Sequence, residues 1–304
     1  MEVALSELTD RPMLVVPAPA KLNLFLHVTG RRDDGYHLLE SLMVLVDLTD
    51  TLRLTRRDDG RIVRAHPVEG VDESADLALR AAARLQAESG SRWGVSIALD
   101  KQIPIGAGLG GGSSDAASVL LGLNRLWGLG LSRAALMRIG VALGADVPFF
   151  VFGRNAHATG IGDVLRAVTI PRMDVLIAAP DAWVSTAAIF SASELERATP
   201  ATGASAFAGG SGRNDLQPVA VEREPAVGDA LAWLDAVDEP SVEGWRLPDS
   251  RHPARMTGSG SAVFRIVAPS RRGVEPSESR VPRGFRVFRT RLLAAHPLRD
   301  FALK

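Results

Sequence analysis

The sequence predicts an α+β protein of two domains, and three observations support this prediction. Patterns typical of strands and helices are mixed along the chain without the regular strand–helix alternation of a doubly wound sheet. The 304 residues suffice for two domains of ordinary size, and 46% hydrophobic with 23% charged residues is a globular composition. Pro171 precedes a new apolar strand at 173–179, so we expect domains at 1–170 and 171–304.

The first elements are predicted to be strands. Residues 13–28 form a strand, a break at the prolines and a second strand. In the second strand Lys21 and Asn23 alternate with leucines, so the two polar side chains share one face. Further strands are expected at 37–47, 51–55 and 61–66, with a hairpin turn at 57–60 before the last.

Helices dominate the middle of the chain. Residues 74–88 form an amphipathic helix with Ser74 at its N-cap. Helices at 113–126 and 132–143 each begin with a serine, and Asp115 is interpreted as an N-terminal capping residue. Short strands are expected at 95–99 and, as strands or turns, at 147–152 and 156–160.

The C-terminal half is less regular. Residues 198–212 are rich in Ala, Gly, Ser and Thr, have little to bury and are predicted to be a mobile surface loop. Residues 214–237 are predicted to be mainly helical, and 256–267 to be a second glycine turn that opens onto a strand. The tail from Gly284 is predicted to hold a final strand and helix.

Composition and charge exclude several classes of function. The formal net charge is zero, so there is no overall electrostatic signal for nucleic acid or an anionic membrane. The absence of cysteine excludes disulfides, thiolate metal sites and cysteine nucleophiles. No apolar run approaches the roughly 18–20 residues of a membrane span, and residues 1–11 lack a signal-peptide core. We therefore expect a cytoplasmic protein without nucleic-acid or membrane partners.

The most informative segment is glycine-rich, and residues 103–117 read Ile-Pro-Ile-Gly-Ala-Gly-Leu-Gly-Gly-Gly-Ser-Ser-Asp-Ala-Ala. Glycine permits positive φ and lets backbone amides approach a ligand, and a following helix N-terminus adds unpaired N–H groups. The segment therefore predicts a phosphate-binding loop, the alternative being a flexible loop before an ordinary helix. It is not a Walker A loop, because it contains no lysine, and a triple glycine before two serines is not required by a dinucleotide fold.

Three polar residues are candidates for phosphoryl-transfer chemistry. Asp146, in Leu-Gly-Ala-Asp-Val-Pro, is either a helix-end Asx turn or a cleft carboxylate that receives or orients a hydroxyl proton. Lys21 is one of three lysines among 35 basic residues, so its apolar setting favours charge stabilisation over a snorkelling surface lysine. Asn23 shares its face and is a candidate to hold a substrate hydroxyl.

Two further segments are weaker candidates. Tyr36, the one tyrosine of the chain, and His37 can stack on a nucleobase and hydrogen-bond to its edge. From these residues alone a half-buried tyrosine and a satisfied histidine are favoured. The turn at Gly258, Ser259 and Gly260 offers a second set of amides that could close over phosphates, although such turns are common between strands.

Taken together, these motifs resemble those of the GHMP kinases, the family of galactokinase, homoserine kinase and mevalonate kinase. The glycine loop matches their ATP-binding motif, P-x-x-x-G-L-G-S/G-S-S-A/D-A. The other matching segments, within roughly 14–268, are Pro19-Ala-Lys-Leu-Asn-Leu-Phe-Leu26, Thr29-Gly-Arg-Arg-Asp-Asp-Gly-Tyr-His37, Leu143-Gly-Ala-Asp-Val-Pro148, Asn214-Asp-Leu-Gln-Pro218 and Thr257-Gly-Ser-Gly260. Two departures are Asp163, a shorter acid than the glutamate usual in the A-x-G-x-G-E element, and a weakly matching tail after Pro269.

The resemblance implies an N-terminal domain like ribosomal protein S5 domain 2, a ferredoxin-like C-terminal domain and a ligand cleft between them. It implies ATP with Mg²⁺, and as acceptor the 2-hydroxyl of a cytidine diphosphate-linked methylerythritol of the non-mevalonate isoprenoid pathway. The implied site residues are the catalytic pair Lys21 and Asp146; Pro104, Gly106, Gly108, Leu109, Gly110, Gly111, Gly112, Ser113 and Ser114 for ATP; Asn23, Tyr36, His37 and Thr186 for substrate; and Gly258, Ser259 and Gly260 for the closing turn.

Magnesium is expected to arrive with ATP, held mainly by phosphate and water and by the hydroxyl of Ser113 or Ser114. The six histidines have no metal-ligand spacing, so no transition-metal site is expected.

Two other functions stay open on the sequence. A GHMP kinase acting on homoserine or mevalonate would not need Tyr36 and His37. A nucleotide-binding regulatory module without catalysis would keep the glycine loop but would not need both Lys21 and Asp146.

Overall fold

The α+β class is confirmed by a computed structural model, which describes residues 11–204, 212–237, 253–267 and 281–303. Within these ranges ten strands form one sheet. No helix in them is long and apolar enough to cross a membrane. The strands are β1 Met13–Arg31, β2 His37–Arg57, β3 Ile62–Arg64, β4 Gly94–Asp100, β5 Ala156–Thr159, β6 Val164–Ala167, β7 Asp174–Pro180, β8 Arg255–Met256, β9 Val263–Val267 and β10 Phe285–Leu293. The helices are α1 Leu77–Ser89, α2 Gly111–Leu126, α3 Arg133–Val141, α4 Val147–Phe152, α5 Thr186–Ser191, α6 Gln217–Arg223 and α7 Pro225–Ala236.

Strand β10 connects the two halves of the sheet. The strand order is β3-β4-β2-β10-β7-β9-β8, with β1 and β5 also paired to β2, and β6 paired to β5. Leu292 and Leu293 of β10 pair with Val46 and Leu45 of β2, whereas the earlier part of β10 pairs with β7. The chain on either side of residue 170 is therefore joined by backbone hydrogen bonds.

Among the described residues, three apolar clusters form the core. The first packs α1–α4 against the N-terminal strands, and the third packs α5–α7 against β7–β9. The middle cluster combines Leu22 of β1 and Val44 of β2 with Ile177 of β7 and Phe264 of β9, and it includes Leu109 of the glycine-rich loop. Burying one such side chain is worth about 1.5–3 kcal/mol, so the loop is anchored in a core to which both halves contribute.

The N-terminal cap predicted for helix α3 is confirmed, and the one predicted for α1 is wrong. α1 begins at Leu77, and Asp76, not Ser74, caps it by accepting a first-turn N–H. Asp76 is held in place by a buried ion pair with Arg64, a contact that the local sequence does not reveal. Ser132 caps α3 as predicted.

Helix α2 begins at Gly111, two residues earlier than predicted, and has no side-chain cap. The Ser114 hydroxyl donates to the carbonyl of Pro19 on β1 at 2.7 Å instead. The capping role predicted for Asp115 is wrong, because its carboxylate accepts from Lys101. Long-range partners have replaced the local hydrogen bonds that these residues were expected to make.

The long strands β1 and β2 are continuous where breaks were predicted. In β1 the prolines lie within the strand, and the pairing with β2 shifts register between Pro19 and Ala20 without a break in β1. The strands expected at 37–47 and 51–55 are both part of β2. The turn at 57–60 does not form a hairpin, because β3 pairs in parallel with β4 while β2 is the antiparallel neighbour of β4.

The predictions for two short segments are also wrong. Residues 147–152 form α4 rather than a strand, with Pro148 in the first turn, where its missing N–H removes no helical bond. The tail contains β10 as predicted, but the expected final helix is a single 3₁₀ turn at Arg299–Phe301. The elements predicted at 95–99, 156–160, 173–179, 214–237 and 256–267 are confirmed within a few residues.

The segment predicted to be a mobile loop, 198–212, is partly anchored. Thr199 is buried, and its hydroxyl donates to Asp215 at 2.6 Å. Glu40 of β2 accepts two backbone N–H groups a few residues further on, each at 2.8 Å. Residues 205–211 lie outside the described residues.

Candidate active site

The glycine-rich loop connects β4 to α2 and presents backbone donors to a cavity. Gly106, Gly108 and Gly110 have φ values of 72°, 75° and 73°, a region in which only glycine is unstrained. Because α2 begins at Gly111, the N–H groups of its first three residues have no acceptor within the helix. This is the backbone arrangement expected of a phosphate-binding loop.

The loop and the second glycine turn are in direct backbone contact. A β-carbon on Gly108 would lie 2.4 Å from the carbonyl oxygen of Thr257 and 2.9 Å from that of Gly260. A β-carbon on Gly258 would lie 2.8 Å from the carbonyl oxygen of Gly108. Glycine is therefore required at both positions for the two turns to meet.

Replacing Gly108 with alanine is expected to raise the KM for ATP at least about tenfold, because the new methyl group forces the two turns apart. Backbone strain at positive φ also costs about 1–3 kcal/mol. Gly128→Ala is the matched control, since Gly128 has a similar φ of 68° and open space around its would-be β-carbon. Steady-state kinetics and thermal unfolding of both variants test this, and equal KM values for ATP would contradict it.

Lys21 and Asp146 meet at the cavity. Lys21 Nζ lies 3.8 Å from Asp146 Oδ2, and the two side chains are 4% and 37% exposed. Burial lowers the pKa of Lys21, while the negative charge of Asp146 opposes that shift. Asp146 precedes α4 but makes no capping hydrogen bond, so the alternative of a helix-end turn residue is not supported.

Asn23 links Lys21 to the second glycine turn. Its Oδ1 accepts from Lys21 Nζ at 2.6 Å and from the N–H of Gly258 at 3.0 Å. Its Nδ2 donates to the hydroxyl of Ser41 at 2.8 Å. These bonds orient the Lys21 ammonium, a role that the sequence reasoning did not assign to Asn23.

A cavity of about 770 Å³ contains most of the predicted site, and this volume is typical of a small-molecule pocket. The predicted residues that line it are Lys21, Asn23, Pro104, Gly106, Gly108, Leu109, Gly110, Gly111, Gly112, Ser113, Asp146, Thr186, Gly258 and Ser259. The predicted residues that are not part of the lining are Ser114, Tyr36, His37 and Gly260. Ser114 is turned towards β1, as described above.

Tyr36 and His37 lie beside the cavity rather than in it. The residue Tyr36 is 62% exposed, more than the half-buried tyrosine favoured from the sequence. The His37 ring lies 4.9 Å from that of Phe190, which lines the cavity. Partial burial and the positive charges of Arg197 and Arg31 lower the pKa of His37. Phe190 was missed, because one aromatic residue in a short apolar helix carries no local signal of a site.

Thr186 connects the second glycine turn to helix α5. Its hydroxyl lies 2.6 Å from that of Ser259, and both residues line the cavity. Trp183, three residues earlier, also lines the cavity, although 71% of the residue is exposed. The sequence reasoning missed Trp183, since an isolated tryptophan in a connection between elements has no motif around it.

Comparisons with known proteins agree with these features. Residues 76–154 match the family described as GHMP kinases N terminal domain. The 4-diphosphocytidyl-2-C-methyl-D-erythritol kinase of Thiobacillus denitrificans is 50% identical, over 94% of this chain and 97% of the relative. That of Nitrosospira multiformis is 47% identical, over 98% of this chain and 97% of the relative.

Solved structures give the same result. A crystal structure of 4-(cytidine 5′-diphospho)-2C-methyl-D-erythritol kinase has a TM-score of 0.71 and 33% identity, and covers 92% of this chain and 99% of that one. A mevalonate kinase structure has a TM-score of 0.60 at 13% identity, with 92% of this chain and 99% of that one covered. At 13% identity the similarity to the mevalonate kinase shows the fold alone, which is the two-domain α+β fold of GHMP kinases.

Proposed function

Because the chain belongs to the 4-diphosphocytidyl-2-C-methyl-D-erythritol kinases of the GHMP family, which are ATP-dependent phosphotransferases, we propose that Lys21 and Asp146 catalyse phosphoryl transfer to the 2-hydroxyl of 4-diphosphocytidyl-2-C-methyl-D-erythritol. The observation that carries this proposal is the 3.8 Å approach of the Lys21 ammonium to the Asp146 carboxylate beside the glycine-rich loop. The reaction belongs to isoprenoid biosynthesis by the non-mevalonate route.

The residues have distinct roles in the proposed transfer. The free amides at the beginning of α2 bind phosphate oxygens of ATP. The acceptor oxygen bonds to the γ-phosphorus, the bond from that phosphorus to ADP breaks, and Asp146 receives or orients the hydroxyl proton. The Lys21 ammonium, held by Asn23, neutralises charge that develops on the transferred group, and its burial strengthens this interaction.

Magnesium is proposed to enter with ATP. In the parts of the chain that the structure describes, no group of three or more His, Cys, Asp or Glu side chains is placed to hold a metal ion. Phosphate oxygens and water would therefore supply most ligands, and Ser113, which lines the cavity, offers a hydroxyl. Bound magnesium would neutralise phosphate charge.

The division into domains at 1–170 and 171–304 is also part of the proposal.

The cytosine ring is proposed to lie at the end of the cavity marked by Phe190, with Tyr36 and His37 beside it. The 4.9 Å contact between the rings of His37 and Phe190 supports this placement, because it forms an aromatic wall next to the cavity. The exposure of Tyr36 leaves its ring free to stack on a base.

Tyr36→Ala is expected to raise the KM for the cytidine-bearing substrate by about 5- to 150-fold, the range of one lost base stack of about 1–3 kcal/mol. The KM for ATP and kcat should stay close to the wild-type values. Tyr36→Phe retains the ring and should behave like wild type. Steady-state kinetics with each substrate varied in turn measure this, and an unchanged acceptor KM in the alanine variant would favour another GHMP acceptor.

The proposed function as a whole is tested with a panel of acceptors. The protein is incubated with ATP, Mg²⁺ and either 4-diphosphocytidyl-2-C-methyl-D-erythritol, homoserine or mevalonate, and ADP is measured. We expect ADP with the first alcohol alone. ADP with either of the others would assign a different GHMP reaction, and nucleotide binding without ADP from any acceptor would indicate a regulatory module.

A further inference from the structure

A buried cluster of three charged side chains lies beside the beginning of α2, separate from the proposed catalytic pair. Lys101 Nζ is 2.5 Å from Asp50 Oδ2 and 2.9 Å from Asp115 Oδ2, and the three side chains are 13%, 0% and 5% exposed. The other oxygen of Asp50 accepts the backbone N–H groups of Gln102 and Ile103 at 2.6 and 2.8 Å. Asp50 therefore fixes both the ammonium and the chain that enters the glycine-rich loop.

The cluster faces the site proposed for ATP. Lys101 and Asp115 both line the cavity. A β-carbon on Gly111, the first residue of α2, would lie 3.0 Å from Lys101 Nζ, so the ammonium is next to the free amides of the helix. Asp115 Oδ1 is buried and has no hydrogen-bond partner among the described residues. Because that oxygen is an acceptor, it cannot pair with a phosphate oxygen, and an anion has to bind through the ammonium of Lys101.

Within this cluster Lys101 supplies the positive charge that could bind an anion, and the two carboxylates oppose it. An ammonium has three N–H donors, and among the described residues the two carboxylates accept two of those of Lys101, so one remains for a ligand. Burial raises the pKa of Asp115 to about 7, although Lys101 opposes that shift. Protonation of Asp115 would remove one of the two negative charges that repel a polyphosphate, and the raised pKa favours that protonation.

We propose that Lys101 is a further ATP-binding residue, whose third N–H donates to a phosphate oxygen beside the free amides of α2. It would supply, from just before the loop, the cation that a Walker A loop carries within itself. The inference rests on the proposed ATP site at the glycine-rich loop. The proposed contact of Lys101 is specific to phosphorylated ligands, because an ammonium interacts strongly with a phosphate but has no comparable partner on the adenosine part.

Calorimetric titration of the full chain with ATP, ADP and adenosine tests the role of Lys101. In Lys101→Met we expect ATP and ADP to bind about 10- to 100-fold more weakly, the range for one charge-assisted hydrogen bond, and adenosine to bind as it does to wild type. Equal losses for all three ligands would mean that Lys101 only shapes the pocket, and unchanged ATP binding would likewise overturn the proposal.

Lys101→Met leaves two buried carboxylates without their cation, which favours misfolding. A second variant therefore tests the same inference with Lys101 in place. Asp115→Asn keeps Lys101 and removes one competing charge, so ATP should bind severalfold more tightly while adenosine binding is unchanged. Weaker or unchanged ATP binding in this variant would overturn the inference. Thermal unfolding without ligand checks both folds. Failure of the wild-type protein to bind ATP would instead contradict the proposed ATP site.

Discussion

Replacing Asp146 with asparagine is expected to lower kcat by about 10²- to 10⁴-fold, the range for loss of general acid–base catalysis, while the protein still folds. Asparagine has nearly the same shape but cannot accept a proton at neutral pH. The fold should tolerate the change because the Asp146 side chain is 37% exposed and caps no helix. The measurement is ADP release at saturating concentrations of both substrates, together with thermal unfolding.

Two further variants sharpen this experiment. Asp146→Ala removes hydrogen bonding as well as the charge, so activity in the asparagine variant well above that in the alanine variant would indicate that Asp146 mainly orients the hydroxyl. Asp47→Asn is the matched control, since Asp47 is 43% exposed and pairs with Arg291 at 3.0 Å but is not part of the cavity lining. It should retain wild-type turnover. Near wild-type turnover in both Asp146 variants would remove Asp146 from the mechanism.

Lys21→Met is expected to lower kcat by about 10²- to 10³-fold, comparable to the loss of one preorganised electrostatic contact with a transition state. Methionine has a similar length and fills the same buried space. It cannot neutralise charge on the transferred phosphoryl group. Single-turnover phosphoryl transfer with bound ATP measures this step directly.

Lys21→Met should lower kcat without lowering the free energy of unfolding. This contrast separates a catalytic role of Lys21 from a structural one. Burial lowers the pKa of Lys21 from 10.5, so the unfolded chain binds the proton more tightly than the folded protein. The lysine therefore costs stability at neutral pH, and this cost disappears as the pH rises towards 10.5. We expect Lys21→Met to be at least as stable as wild type at pH 7, with the difference shrinking at high pH. Parallel loss of stability and kcat would indicate a structural role.

The sequence predicted the loop well because its conformation depends on local chemistry. Gly106, Gly108 and Gly110 need no distant partner to adopt positive φ, and their spacing before a helix is visible in the chain. The shared face of Lys21 and Asn23 also follows from the two-residue period of a strand, and in the structure the two side chains are hydrogen-bonded.

Several local predictions were wrong because a distant partner competed with a neighbour. Ser74 is a good capping residue, but Asp76 is held at the start of α1 by Arg64 and takes that role. Asp115 has the sequence position of a capping residue, yet Lys101 binds its carboxylate. The hairpin at 57–60 did not form, because β4 lies between β2 and β3.

By itself the sequence determined the α+β class, the glycine-rich loop and the residue types of the proposed site, since backbone freedom and side-chain period are short-range properties. Only the tertiary structure decided which of those residues meet: Lys21 with Asp146, Gly108 with the second glycine turn, and Lys101 with Asp50 and Asp115. Such contacts join residues far apart in the chain, and they exist only after the sheet and the shared core have packed.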